Sequence, residues 1–275
     1  MSFWQLLSTS FVQNAFWAVT VVALAGGAVG YFVVLRRQAF AAHAVGHIGF
    51  AGAAGAVLLG LSPIFGLLVF CLGAGLVIGA AGAELDDRDA VVGVTLTAAL
   101  GLGVLFISLY RGYANATYSI LFGQILGVSS SDLRLVALLS VLVGLAVSVV
   151  FRPLLFASVD AQSAAARGLS VRAMSLVFMS LLAVTTAVAV QVVGVLLVFS
   201  LLVAPAAAAE VLTSRPLDAL IGSMGLALLS GWVGLFLAVG VGGPVSFCIT
   251  ALASLAYLLA RLRAGALARR ARQPA

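Results

Sequence analysis

The chain has 275 residues, 64% of them hydrophobic and only 8% charged, and its formal net charge of +6 is carried by 14 arginines with no lysine. A soluble domain is about a quarter charged, so this composition excludes an ordinary water-soluble enzyme or binding module and points to an all-α polytopic membrane protein. The arginines are scattered between apolar runs rather than gathered with aromatic residues in one patch, which excludes nucleic acid as a partner.

In chain order, residues 1–35 hold one span. Gln5, Gln13 and Asn14 mark an interfacial start before a helix from Phe11 to Leu35, and the start lacks the basic region and cleavage site of a signal peptide. Residues 38–83 form a 46-residue run without a charge, long enough for two spans, and "GLSP" at 60–63 supplies the turn between them. "ELDDRD" at 84–89 reads as a solvated loop, so Glu84, Asp86, Asp87 and Asp89 are its charges rather than a metal trap. Residues 90–110 are a fourth span; 112–131, broken by Gly, Asn and Ser, read as a loop or a short re-entrant helix.

Residues 135–151 are a fifth span, and 152–172, "RPLLFASVDAQSAAARGLSVR", read as a polar loop with a short amphipathic helix. Two further spans fit in 173–209, broken near Gln191–Gly194, and two more in 219–260, broken at Gly242–Pro244. The total is nine, with eight as the alternative, in a single domain over 1–275 with a basic tail at 263–275. With nine spans, twelve arginines fall on one side and only Arg111 and Arg134 on the other. Arginine-rich short loops stay in the cytoplasm, which implies N-terminus out and C-terminus in. Cys71 and Cys248 lie in separate apolar stretches without CxxC spacing and read as small core residues.

The chain's two histidines, His43 and His47, both fall inside the long charge-free run. Four residues apart, they share one helix face, and neutral imidazole is a good ligand for zinc and other late divalent metals. Ionisable groups within a span usually face a cavity or pathway; the competing reading is a pair of hydrogen bonds to neighbouring helices. An intramembrane metalloprotease is disfavoured, because Ala44 stands where the HExxH motif needs its general base.

Four segments, in order, resemble a known family. "VVLRRQAFAAHAVGHIGFAGAAGAVLLG", "YSILFGQILGVSSSDL", "DAQSAAARGLSVRAM" and "QVVGVLLVFSLLVAPAAAAEVL" look like the first-to-second-helix segment, the FG loop, the cytoplasmic loop and the following helix pair of permeases in zinc/manganese/iron ABC importers. The resemblance implies a type II ABC importer-like bundle that pairs with a second copy, with cytoplasmic ATPase subunits and with an extracellular solute-binding protein. The chain has no GxxxxGK[ST] phosphate loop, so ATP hydrolysis falls to a partner and the chain is itself no enzyme.

By the same resemblance, 152–172 is the coupling loop, with Asp160, Ala164 and Gly168 matching the helix that seats in the ATPase. His47 matches the family's histidine, whereas His43 falls where relatives carry Asp. That change removes a negative charge and replaces a hard oxygen donor by nitrogen, favouring zinc over manganese or iron as the transported metal. With two neutral ligands the site holds metal transiently, as a conduit must, and no metal is bound permanently. Glu210 reads as a boundary residue, with a place in the metal path as the alternative. Gln124 stands where an acid is common, and Asp132 remains as a docking charge on the outer face. A permease for a siderophore or vitamin is the alternative cargo reading, though a wide path needs no histidine pair.

Overall fold

The computed structural model describes residues 9–81, 88–110, 123 and 125–271. Its long helices are α1 (Ser10–Leu35), α2 (Ala39–Leu58), α3 (Pro63–Ala81), α4 (Arg88–Leu109), α5 (Ser130–Val159), α7 (Val171–Val193), α8 (Val195–Leu212), α9 (Pro216–Val241) and α10 (Val245–Ala271), with a short α6 (Ala161–Ala166) between α5 and α7. Eight of them are long and apolar enough to cross a membrane, and α8 contributes a shorter apolar helix. The nine apolar segments read from the sequence are thus present, eight of them full spans.

The breaks fall where the backbone chemistry puts them. Gly60 is left-handed with φ 72°, and the amide of Leu61 returns to the carbonyl of Ala56 at 2.8 Å, closing α2 before Pro63 opens α3. Gly194 (φ 91°) separates α7 from α8, and Gly242 (φ 73°) ends α9.

Two boundaries differ from the sequence reading. Helix α5 does not stop at 151 but runs through Pro153 to Val159, so much of the expected loop 152–172 is helix. Proline removes the hydrogen bond to the carbonyl of Val149, and Val149 is 80% exposed, so the lost bond lies on the helix's outer side rather than in the core. At 1.5 Å per residue α5 is about 45 Å long, more than a bilayer core, and its last turns project beyond the apolar layer. Likewise the expected tail at 263–275 is helical as far as Ala271. Residues 111–122 and 124, with Glu84, Asp86 and Asp87, lie outside the described residues; a 3-10 turn at Ile125–Gly127 then leads into the start of α5.

Helices α1 and α7 form the centre of the bundle. In each, 72% of the apolar window is buried within the fold, against 17% for α4 and α10, which border the outside. Helix α1 packs on α5, α7, α8 and α9, and α7 on α3 and α5. Small residues make this possible: a methyl group at Gly30 would land on the backbone carbonyl of Leu202 in α8, so α1 and α8 meet backbone to backbone. Buried Ser223 of α9 donates to the carbonyl of Gly27 at 2.7 Å, a polar contact that suits a water-free layer.

The helix ends sort into two groups. At one end Asn14 donates to the carbonyl of Val128 (3.4 Å), and Ser246 donates to that of Val193 (3.3 Å). At the other, Arg36 donates from Nη1 to Ser158 Oγ (3.2 Å) and lies 5.0 Å over the Phe178 ring. Among the described residues, the second end holds every arginine except Arg134, which opens α5 at the first.

Candidate functional site

The histidines sit in the first half of α2. From Ala41 to Phe50 every side chain is buried except those of His43 and His47, so the helix is sunk in the bundle with one open stripe. The embedding follows from the sequence: Ala44, Val45 and Ile48 fill the core face, and Gly46 lets α2 approach α7 and α8, a methyl there lying 3.3 Å from Val198 and 3.6 Å from Thr186. The two imidazoles meet edge to face at 4.5 Å, and His43 makes a second edge contact with Phe199 of α8 at 5.3 Å. Among the described residues neither ring is hydrogen-bonded to another helix, which weighs against a purely adhesive role.

Among the described residues no group of three His, Cys, Asp or Glu side chains could hold a metal. The pair therefore offers two nitrogens, an open and incomplete site that can take an ion and release it.

The other sequence-selected residues lie elsewhere. Glu210 is in the last turn of α8, eleven residues beyond Phe199, hence about 16 Å farther along that helix than the His43 contact. Asp132 is in the first turn of α5, where its Oδ2 accepts from Ser129 Oγ at 2.6 Å while its own amide donates to that Oγ at 3.1 Å. This reciprocal cap gives Asp132 a local role. Gln124 lies outside the described residues.

Asp160, Ala164 and Gly168 belong together as one capped turn of helix. Asp160 caps α6 by accepting from the Ser163 amide at 3.0 Å, and the hydrogen bonds to Ser163 hold its carboxyl below the ordinary value. Ala164 is fully buried and anchors α6 to the bundle. Gly168, at φ 83°, closes it as the Leu169 amide returns to the Ala164 carbonyl at 3.0 Å. The other α6 side chains are exposed and available to a partner.

Sequence reasoning missed one neighbour of the histidine pair and one of the helix turn that carries it. Phe199 packs on His43, and Thr186 is fully buried beside Gly46 with its hydroxyl unpaired. Neither stands out from its apolar run in the sequence.

A bundle of apolar helices, eight of them long enough to cross a membrane, with a pair of partly exposed imidazoles on α2, defines a polytopic helical membrane protein. Comparison places it more narrowly: residues 8–264 match the ABC 3 transport family, and the chain belongs to that family. It is similar to the manganese transport system membrane protein MntC of Halalkalibacterium halodurans, with 32% identity over 169 residues, 61% of this chain and 58% of that protein. It is also similar to the manganese import system permease protein ScaB of Streptococcus gordonii, with 33% identity over 162 residues, 58% of each chain. These matches span just under three fifths of the relatives' own length.

Among solved structures, PsaBC from Streptococcus pneumoniae in complex with Fab superposes with TM-score 0.84 at 28% identity, covering 94% of each chain. A metal-chelate type ABC transporter in an inward-facing conformation, at TM-score 0.65 and 15% identity over 90% of this chain and 85% of that one, shares the fold.

Proposed function

We propose that this chain is the permease subunit of an ATP-binding-cassette importer that moves a divalent transition metal across the cytoplasmic membrane. The observation that carries the reading is the His43–His47 pair, open on an otherwise buried stretch of helix and 4.5 Å apart. Two imidazoles attract a late divalent ion yet are too few to trap it. By family, a second copy completes the path, cytoplasmic ATPase subunits supply the work, and an extracellular solute-binding protein delivers the ion. The capped helix α6 is the coupling element, and Asp132 belongs to the outer docking face. Grouping of the arginines at one helix end supports N-terminus out and C-terminus in.

The donor set favours zinc, since nitrogen ligands suit it better than manganese. The names of the relatives favour manganese. Zinc is the reading that the residues of this chain support.

Reconstituting the permease with its ATPase partners in liposomes loaded with a metal-sensitive dye tests both points. Losing an outer-shell partner of a metal ligand costs about 10–100-fold, so H43A/H47A is expected to cut zinc uptake at least about tenfold. Unchanged uptake removes the pair from the path, and a wild-type preference for manganese overturns zinc.

A further inference from the structure

Helix α10 leaves the apolar layer before it ends. It packs on α8 and α9, and only 17% of its apolar window is buried within the fold. From Val245 to Ala260 it carries no charge, a length of about 24 Å that falls just short of a hydrocarbon core. Leu255, Leu258, Leu259 and Leu262 are exposed along it, so lipid meets α10 as far as its first arginines. Arg261, Arg263, Arg269, Arg270 and Arg272 then follow within twelve residues, and no acidic residue comes after Asp218. Arg261 and Arg263 are exposed, and Arg261 lies 6.0 Å from the centre of the Tyr257 ring, a tyrosine and a cation together at headgroup depth. From Arg263 the helix runs on to Ala271, about 12 Å, enough to cross the headgroup layer.

We propose that the end of α10 is a binding surface for anionic phospholipid headgroups, which hold the rim of the bundle to the membrane face. Guanidinium pairs well with phosphate, and each arginine near an anionic surface strengthens the attraction about fivefold. The same end of the bundle already carries Arg36, Arg37, Arg152 and Arg215, so orientation alone does not account for five more arginines on one helix. An acidic protein is the other partner that such a cluster could meet, and the leucines decide between the two. An exposed apolar flank up to Leu262 sets Arg261 and Arg263 against lipid rather than against a soluble face. The coupling helix α6 packs on α5 and α7, whereas α10 packs on α8 and α9, so these arginines belong to another flank.

The inference does not depend on the cargo or on the histidine pair. Spin-labelled phosphatidylglycerol and spin-labelled phosphatidylcholine, each at trace level in phosphatidylcholine bilayers holding the purified permease, report how much of either lipid the protein restrains. The wild type is expected to prefer phosphatidylglycerol about tenfold at low salt, and the preference should shrink as salt rises. R261Q/R263Q should lower it at least about threefold, whereas R152Q/R215Q, which removes two exposed arginines from the same end, should lower it less than about twofold. R261K/R263K keeps the charge and should keep the preference; a loss there would rule out attraction by charge. Inorganic phosphate at matched ionic strength should compete no better than chloride, and specific displacement by phosphate would make this a site for the free ion instead. No preference in the wild type, a preference that salt leaves unchanged, or equal losses in the two glutamine variants would each overturn the surface. The salt series needs no variant, so the test stands even where R261Q/R263Q does not assemble.

Discussion

His43 and His47 meet edge to face with ring centroids 4.5 Å apart, and they are the two side chains between Ala41 and Phe50 that the bundle leaves unburied. The pairing puts a nitrogen donor at position 43, where the family resemblance read from the sequence implies an oxygen donor, and this sets the sharpest expectation about metal choice. His43→Asp introduces a negative charge and a hard ligand beside His47. Relative uptake of manganese over zinc should rise about tenfold, a difference of ~1.4 kcal/mol between the two ions. Competition uptake with both metals present measures the ratio; a ratio equal to wild type would exclude His43 as a selector.

Packing of α1 on α8 depends on Gly30, whose missing side chain lets the Leu202 backbone in. Gly30→Ala has no room without separating the two helices, and overpacking of this kind costs about 1–3 kcal/mol. The thermal midpoint of the detergent-solubilised protein should fall. Gly225→Ala is the control: its added methyl meets nothing within 4 Å, and alanine in a helix interior gains about 0.5–1 kcal/mol over glycine. Identical midpoints for the two variants would contradict the close approach.

The capped helix α6 makes a prediction with a pH signature. Asp160 is exposed, and its hydrogen bonds to Ser163 depress its carboxyl below the usual carboxylate value. A depressed acid stabilises the fold above its unfolded value, and the contribution is lost as pH falls through the folded value. At neutral pH the cap is therefore fully engaged, and it fails only in acid, below the ordinary carboxylate range. Asp160→Ala should increase amide exchange across 161–166 and lower metal-stimulated ATP hydrolysis by the complex. Asp160→Asn keeps a capping oxygen, so it should be milder and lose the acid dependence. Gly168→Ala puts a side chain at φ 83°, at a cost of about 1 kcal/mol, and should loosen the same turn.

The apolar runs carried most of the fold. Their lengths count the helices, and Gly60, Gly194 and Gly242 mark breaks because each adopts a positive φ that other residues avoid. Pro153 misled because proline usually ends a helix, yet a lost hydrogen bond on an outward face is tolerable there, and α5 continues. The histidine pair was legible from four-residue spacing alone. Phe199 was not, since its contact with His43 spans more than 150 residues of chain and its segment reads as uniform apolar helix. Asp132 was legible in a different sense: Ser129 three residues before it is the signature of a helix cap, a local role that stands beside the proposed place on the docking face.

Orientation in the bilayer rests on the arginines and can be read directly by labelling. Among the described residues the arginine-rich end carries Arg36, Arg37, Arg88, Arg152, Arg167, Arg172 and Arg215 with the basic stretch of α10, whereas the opposite end carries Arg134. Short arginine-rich segments are retained on the cytoplasmic side, so α6 should face the cytoplasm and the start of α5 the exterior. Gln162 and Ser131 are exposed at these two ends. In a background with Cys248 replaced by Ser, and with Cys71 fully buried, Ser131→Cys should react with a membrane-impermeant maleimide in intact cells. Gln162→Cys should react only after the membrane is opened. The reverse pattern would turn the permease over, putting α6 out of reach of any cytoplasmic ATPase, and the coupling role of Asp160, Ala164 and Gly168 would fall with it.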